Sequence, residues 1–263
     1  MVSPPAASHP PPRLQGLDAL RGVAMLWMTV FHFSFDLNYF GYIRQDFTHD
    51  PVWTWQRSAI VSLFLLTAGC AQAVAVARGQ DWPRFWRRWA QVAVCAALVT
   101  AGSWWMFPRS FIYFGVLHGL AVMLIAVRAL LARGAPQAAL WVGGAVLIAL
   151  CWLAPIALHA WAGGATTGLF NSRALNWLGL VTRKPFTEDY VPLVPWLGVT
   201  LWGAAAGRWL LAGRLRGLAA PGAGSRAAGA LAALGRWSLS YYMLHQLALF
   251  GALMGLGWVL GRG

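Results

Sequence analysis

Leu17-Asp-Ala-Leu-Arg-Gly-Val-Ala-Met-Leu-Trp-Met-Thr-Val-Phe-His-Phe-Ser-Phe-Asp-Leu37 is a run of 21 residues in which only Asp18, Arg21, His32 and Asp36 ionise. About 20 mainly apolar residues are what one helix needs to cross a hydrocarbon core of roughly 30 Å. Six further windows of this kind follow, at 55–77, 86–107, 112–131, 138–159, 190–211 and 237–260. The expected fold is all-α, a polytopic transmembrane bundle of about seven helices. The connections are short except over 160–189 and over the Gly/Ala/Arg-rich 212–236, so no separate soluble domain fits between the windows. The chain then divides into a proline-rich cytoplasmic tail, 1–16, and a transmembrane domain, 17–263.

Composition leads to the same class. Apolar residues make up 59% and charged residues 10% of the chain, where about 25% charged is usual in soluble domains. Seven acids and twenty bases leave too little polar surface to face water on all sides. Disorder, collagen and a secreted disulfide scaffold are excluded. A net charge of +13 raises the question of nucleic acid, but the bases lie in short runs between apolar windows, as the positive-inside rule requires. The expected partner is the lipid bilayer, not nucleic acid. With the amino terminus inside, thirteen bases fall on the cytoplasmic side and seven on the other. Many of the 17 tryptophans crowd window ends, where an amphipathic ring suits the headgroup layer. Cys70, Cys95 and Cys151 all lie in apolar stretches, without metal-ligand spacing, and read as packing residues.

A charge at membrane depth is costly, so ionisable side chains inside the windows are the best functional signal. At 100° per residue, Asp18, Arg21, His32 and Asp36 share a stripe about 60° wide, which must face protein or a wet cavity. Asp18 with Arg21 and His32 with Asp36 are spaced to pair across one turn. Arg21 and His32 lie about 16 Å apart along the axis. A carboxylate beside an imidazole fixes its tautomer and raises its basicity, which suits a general base; a buried pair that only locks helix packing is the other reading. His118 begins the fourth window within possible reach of His32. His245 shares a face with Ser238, Tyr241 and Tyr242, and both histidines suit interhelical hydrogen bonds as well as chemistry. Glu188 and Asp189 precede the sixth window, where negative charge suits a helix amino terminus. Pro192 and Pro195 imply an irregular start there.

Arg13-Leu-Gln-Gly-Leu-Asp-Ala-Leu-Arg-Gly and Phe31-His-Phe-Ser-Phe-Asp-Leu resemble the first helix of bacterial relatives of the heparan-alpha-glucosaminide N-acetyltransferase catalytic domain. The resemblance continues through Phe64-Leu-Leu-Thr-Ala-Gly, Tyr113-Phe-Gly-Val-Leu-His, Asp189-Tyr-Val-Pro-Leu-Val-Pro-Trp-Leu-Gly and Leu234-Gly-Arg-Trp-Ser-Leu-Ser-Tyr-Tyr-Met-Leu-His-Gln. It implies a membrane acyltransferase of the bacterial inner (cytoplasmic) membrane. Such an enzyme takes an acetyl or other acyl group from cytoplasmic acyl-CoA and passes it to an amine or hydroxyl of an extracytoplasmic sugar or glycolipid. It implies no metal. Arg21, with Asp18 beside it, would hold CoA phosphate or pantetheine groups. His32 would deprotonate the acceptor and Asp36 would orient it, while His118, Tyr241 or Tyr242 would supply oxyanion donors. A covalent acyl-histidine route is a variant. Larger relatives use a histidine in the loop after the first helix; His49 matches it only loosely and reads as a solvated loop residue. A small transporter or proton-coupled carrier using the buried His/Asp stripe is the alternative, although no internal repeat supports it. A noncatalytic scaffold is a third.

Overall fold

The computed structural model describes residues 14–161, 164–213 and 225–260; all but the last residues of the proline-rich tail lie outside them. Among these residues the chain forms nine α-helices: α1 (Gln15–Tyr39), α2 (Pro51–Ala77), α3 (Trp82–Met106), α4 (Val116–Ala132), α5 (Gln137–Trp161), α6 (Gly164–Asn171), α7 (Leu193–Leu211), α8 (Arg226–Arg236) and α9 (Ser238–Val259). Each of the seven apolar windows holds one long helix, α1 to α5, α7 and α9, although the fourth and sixth windows begin in the irregular segments that lead into α4 and α7. Helices α2, α3, α5 and α9 are long and apolar enough to cross a membrane. The chain is a multi-pass, all-helical membrane protein.

Local sequence fixes several helix starts. Asp50 accepts from the Val52 N–H at 2.8 Å ahead of Pro51, and Asp81 accepts from the Arg84 N–H at 2.9 Å ahead of Pro83. A side-chain cap satisfies an orphan amide, and proline at the first helical positions removes one. The two connections expected to be long both hold helix. Segment 160–189 contains α6 and a 3-10 turn, Asn176–Leu178. Segment 212–236 contains α8, capped by Ser225, whose Oγ accepts from the Ala228 N–H at 3.1 Å.

The helices pack through small residues rather than bulky ones. In lipid no hydrophobic force draws helices together, so close backbone approach supplies the dispersion contact. Along the α2–α7 seam a Cβ on Gly69 would lie 2.0 Å from the Thr200 carbonyl oxygen, and one on Gly203 2.2 Å from that of Leu66. Gly144 and Gly198 do the same between α5 and α7. Beneath the outer helices lies a core of Leu65, Leu117, Leu120, Met123 and Val191. By contrast, 6% of the apolar window of α3 is buried, against 44% of that of α2, so α3 presents most of its surface to lipid.

The element that builds the site is α1, which α8 and α9 flank. Its inner half crosses α8 with backbones touching: a Cβ on Gly22 would lie 2.0 Å from the Leu231 carbonyl oxygen, and one on Gly235 1.8 Å from that of Asp18. Its outer half runs parallel to α9, as the contacts Thr29–Tyr241, His32–His245, Asp36–Gln246 and Phe40–Phe250 show in order. Trp237 joins α8 to α9 and donates its N–H to the carbonyls of Ala233 and Leu234.

Candidate active site

The outer half of the α1 stripe meets α9 as a polar seam. The His32 and His245 rings sit edge to face, centroids 5.2 Å apart at 63°. His245 Nδ1 lies 2.8 Å from the Tyr242 carbonyl oxygen. A carbonyl only accepts, so Nδ1 carries the proton and Nε2 is left with a bare lone pair. The Tyr241 ring stacks on His245 at 10°, centroids 5.8 Å apart, and its hydroxyl meets Thr29 Oγ1 at 2.6 Å. Thr29 gives its own proton to the Met25 carbonyl at 2.8 Å, so Tyr241 is the donor to Thr29.

Asp36 does not pair with His32, contrary to the spacing argument. Its Oδ1 accepts from Gln246 Nε2 at 2.7 Å, and Asp36 is 1% exposed. Helical spacing permits an i, i+4 contact, but the neighbouring helix decides it. The amide of Gln246 brings an N–H to the carboxylate, while the imidazole of His32 is taken up in packing against His245. Gln246 closes the Leu234–Gln246 motif, but nothing in the sequence gives it a role. Its one available signal was a second polar residue directly after His245 inside an apolar window.

The inner end of the stripe behaves as the sequence suggests. Arg21 pairs with Asp18 at 3.5 Å and reaches across to the Thr67 carbonyl of α2 at 3.4 Å. Both contacts are longer than the usual 2.7–3.2 Å for N–H···O, so this guanidinium is loosely held. Its side chain is 18% exposed, and Arg88 lies close enough to act on it electrostatically. One unbroken helix carries Arg21 and His32, which keeps their axial separation at about 16 Å. Arg21 looks toward α2 and His32 toward α9.

The remaining candidates fall elsewhere. His118 is not brought to His32. Its Nδ1 accepts the Gly115 N–H at 3.3 Å, and its Nε2 meets Thr100 Oγ1 at 2.9 Å. Thr100 donates to the Ile112 carbonyl at 2.8 Å, so His118 gives Thr100 its Nε2 proton and both ring nitrogens are occupied in starting α4. Asp189 serves that same helix rather than the one it precedes. A short parallel bridge between Phe114 and Tyr190 lays it beside the α4 terminus, and its Oδ2 accepts the Val116 N–H at 2.7 Å. Burial pushes the Asp189 carboxyl above the ordinary aspartate range, with the Val116 N–H opposing the shift. Glu188 is bonded by the Ser110 hydroxyl. The Tyr242 ring lies near both His245 and Asp189. His49 stands in the loop between α1 and α2 with its side chain 83% exposed, 3.0 Å from Asp46. The irregular start of α7 is present, with Val194 at φ −93° and ψ 123°. The three cysteines are free thiols.

A family model described as heparan-alpha-glucosaminide N-acetyltransferase, catalytic, matches residues 13–247. The chain belongs to this family. No curated protein and no solved structure matches it. Membership of the heparan-alpha-glucosaminide N-acetyltransferase catalytic family makes the chain a membrane protein of the acetyltransferase class. The match spans every element of the seam, from Arg21 and His32 on α1 to His245 and Gln246 on α9.

Proposed function

We infer that the protein moves an acyl group, acetyl in the simplest case, from cytoplasmic acyl-CoA to an amine or hydroxyl of a sugar or glycolipid on the other side of the bacterial inner membrane. The observation that carries this reading is the division of α1. A loosely bonded arginine sits near one end, and about 16 Å further along an imidazole sits among polar side chains of α9. An extended thioester-tipped arm, its anionic groups held by Arg21 beside Asp18, would bring its acyl carbon toward His32. The excess of bases in the α2–α3 and α4–α5 connections supports a cytoplasmic amino terminus.

In the reaction the histidine seam around His32 takes the proton of the acceptor as the acceptor's lone pair bonds to the thioester carbonyl carbon. The carbonyl electrons move to oxygen, then return as the C–S bond breaks and the thiolate leaves with the proton. The oxyanion needs a donor. Tyr241 spends its proton on Thr29, and His118 spends its own on Thr100. Tyr242, whose hydroxyl makes no hydrogen bond among the described residues, is the donor that best suits the role. Asp36 is held by Gln246 and ties α1 to α9 rather than bonding to His32.

The test is transfer of labelled acetyl from acetyl-CoA to a panel of aminosugars and glycolipids by purified protein in lipid vesicles. His32→Ala is expected to abolish transfer and keep acyl-CoA binding; Arg21→Ala is expected to weaken that binding at least tenfold. Transport of substrate without covalent product would overturn the reading in favour of a carrier.

A further inference from the structure

Three acceptor atoms are buried in the α1–α9 seam with nothing to accept from. Asp36 Oδ2, His245 Nε2 and Gln246 Oε1 each find no hydrogen-bond partner among the described residues. At membrane depth neither lipid nor bulk water offers a donor, so an unpaired acceptor there is costly. His245 and Gln246 are consecutive on α9, and the residues they meet, His32 and Asp36, are four apart on α1. The orphans therefore lie within about one turn of the same seam. All three are acceptors, and a group that brings N–H or O–H donors is what would satisfy them.

We propose that the base of the acyl transfer is the His32–His245 imidazole pair, which takes up one proton between its two rings, with His245 Nε2 as the atom that receives it from the acceptor and Gln246 as the positioning residue that holds Asp36 further along the same seam. This rests on the acyl-transfer reading above. The Tyr242 carbonyl keeps the His245 Nδ1–H in place, so Nε2 is the atom that gains the proton and the ring does not rotate. As the acceptor's lone pair bonds to the thioester carbon, its N–H or O–H electrons stay with the acceptor and the proton goes to Nε2. Collapse of the oxyanion breaks the C–S bond, and the leaving thiolate takes the proton back. Two imidazolium rings at 5.2 Å would repel, so the pair accepts one proton, not two. Among the described residues, the titratable groups against His245 are His32 from α1 and Tyr241 and Tyr242 from its own helix.

The decisive variant is His245→Asn, whose amide keeps a donor where Nδ1 stands but leaves no base at the position of Nε2. In full-length protein in lipid vesicles it is expected to lower kcat by about 100-fold or more, the scale of general-base catalysis, with the KM for acetyl-CoA unchanged. Gln246→Leu, similar in bulk, is expected to move the acidic limb of the pH profile of kcat/KM while leaving that KM alone. Nitrogen-15 NMR of histidine-labelled protein, with His245→Asn assigning the signal, is expected to find Nδ1 protonated and Nε2 bare. A wild type that transfers while His245→Asn keeps its kcat and pH profile overturns this proposal alone, as does a His245 ring protonated only at Nε2. A wild type that transfers nothing to any acceptor ends the acyl-transfer reading and this proposal with it.

Discussion

Adding one methyl group at Gly22 tests the contact on which the inner half of the site depends. Gly22 and Gly235 let α1 and α8 touch backbone to backbone, and the atoms that a Cβ at Gly22 would meet are the carbonyl oxygen, carbonyl carbon and Cα of Leu231. None of these can swing aside as a side-chain tip would. Moving the oxygen from 2.0 Å to ordinary contact at 3.4 Å means parting the helices by about 1.4 Å, an overpacking that costs about 1–3 kcal/mol. Because the opposing atoms are backbone, the cost lies in the upper half of that range, about 2–3 kcal/mol; alanine returns about 1 kcal/mol through its better helix propensity, so Gly22→Ala should lose about 1–2 kcal/mol net. At about 2–4 °C per kcal/mol for a chain of this size, its melting temperature should fall by roughly 2–8 °C. The assay is thermal unfolding of detergent-purified protein followed by tryptophan fluorescence. Gly102→Ala and Gly251→Ala are the controls, because a Cβ at either meets nothing within 4 Å, and both should melt at or slightly above the wild-type temperature. A Gly22→Ala protein that melts with the controls would refute the α1–α8 contact.

Two further predictions concern the start of α4. Thr100→Val, nearly isosteric, strips the His118 Nε2–H and the Ile112 carbonyl of their shared partner and should cost about 1–3 kcal/mol in the same melting assay, with acyl-CoA binding unchanged; an unaltered melting temperature would argue against the cap. Asp189 titrates above its ordinary value of 3.8 because of burial, so its folded form prefers the proton. The stability this contributes is full below about pH 3.8 and lost as pH rises through the raised value. Asp189→Asn keeps an acceptor for the Val116 N–H without the charge, so its melting temperature should gain on the wild type from acid toward neutral pH; a constant difference would contradict the assignment.

What could be read from the sequence was whatever a single helix determines. Lipid demands about 20 apolar residues per crossing, so seven windows stood out and each holds a helix. The α1 stripe followed from helical periodicity, and the Asp18–Arg21 pair it implied is formed. Helix α8 was read as connection because 11 residues rich in alanine cannot span a bilayer, although Ser225 followed by helix formers was a start signal in plain view. The partners of the polar side chains were harder. Spacing on α1 allowed Asp36 to meet His32, but Gln246 arrives from α9, more than 200 residues later. Asp189 was assigned to the helix it precedes, yet the bridge between Phe114 and Tyr190 carries it to another. Tertiary proximity chooses among contacts that local geometry merely permits.

The two ends of α1 act as one device. Arg21 and His32 are linked by unbroken helix, so their axial separation is set by backbone hydrogen bonds and not by how the bundle packs. Consecutive pieces of chain, α8 and α9, then flank that helix, α8 against its inner half through Gly22 and Gly235 and α9 against its outer half through His245 and Gln246. A loosened α2–α7 or α5–α7 seam would disturb the surrounding walls, yet leave this spacing intact. Loss of the α1–α8 contact would instead free the inner grip while the outer imidazole pair stays seated. Damage at the two ends should therefore separate in experiment, with acyl-CoA affinity following the glycine seam and turnover following the histidines.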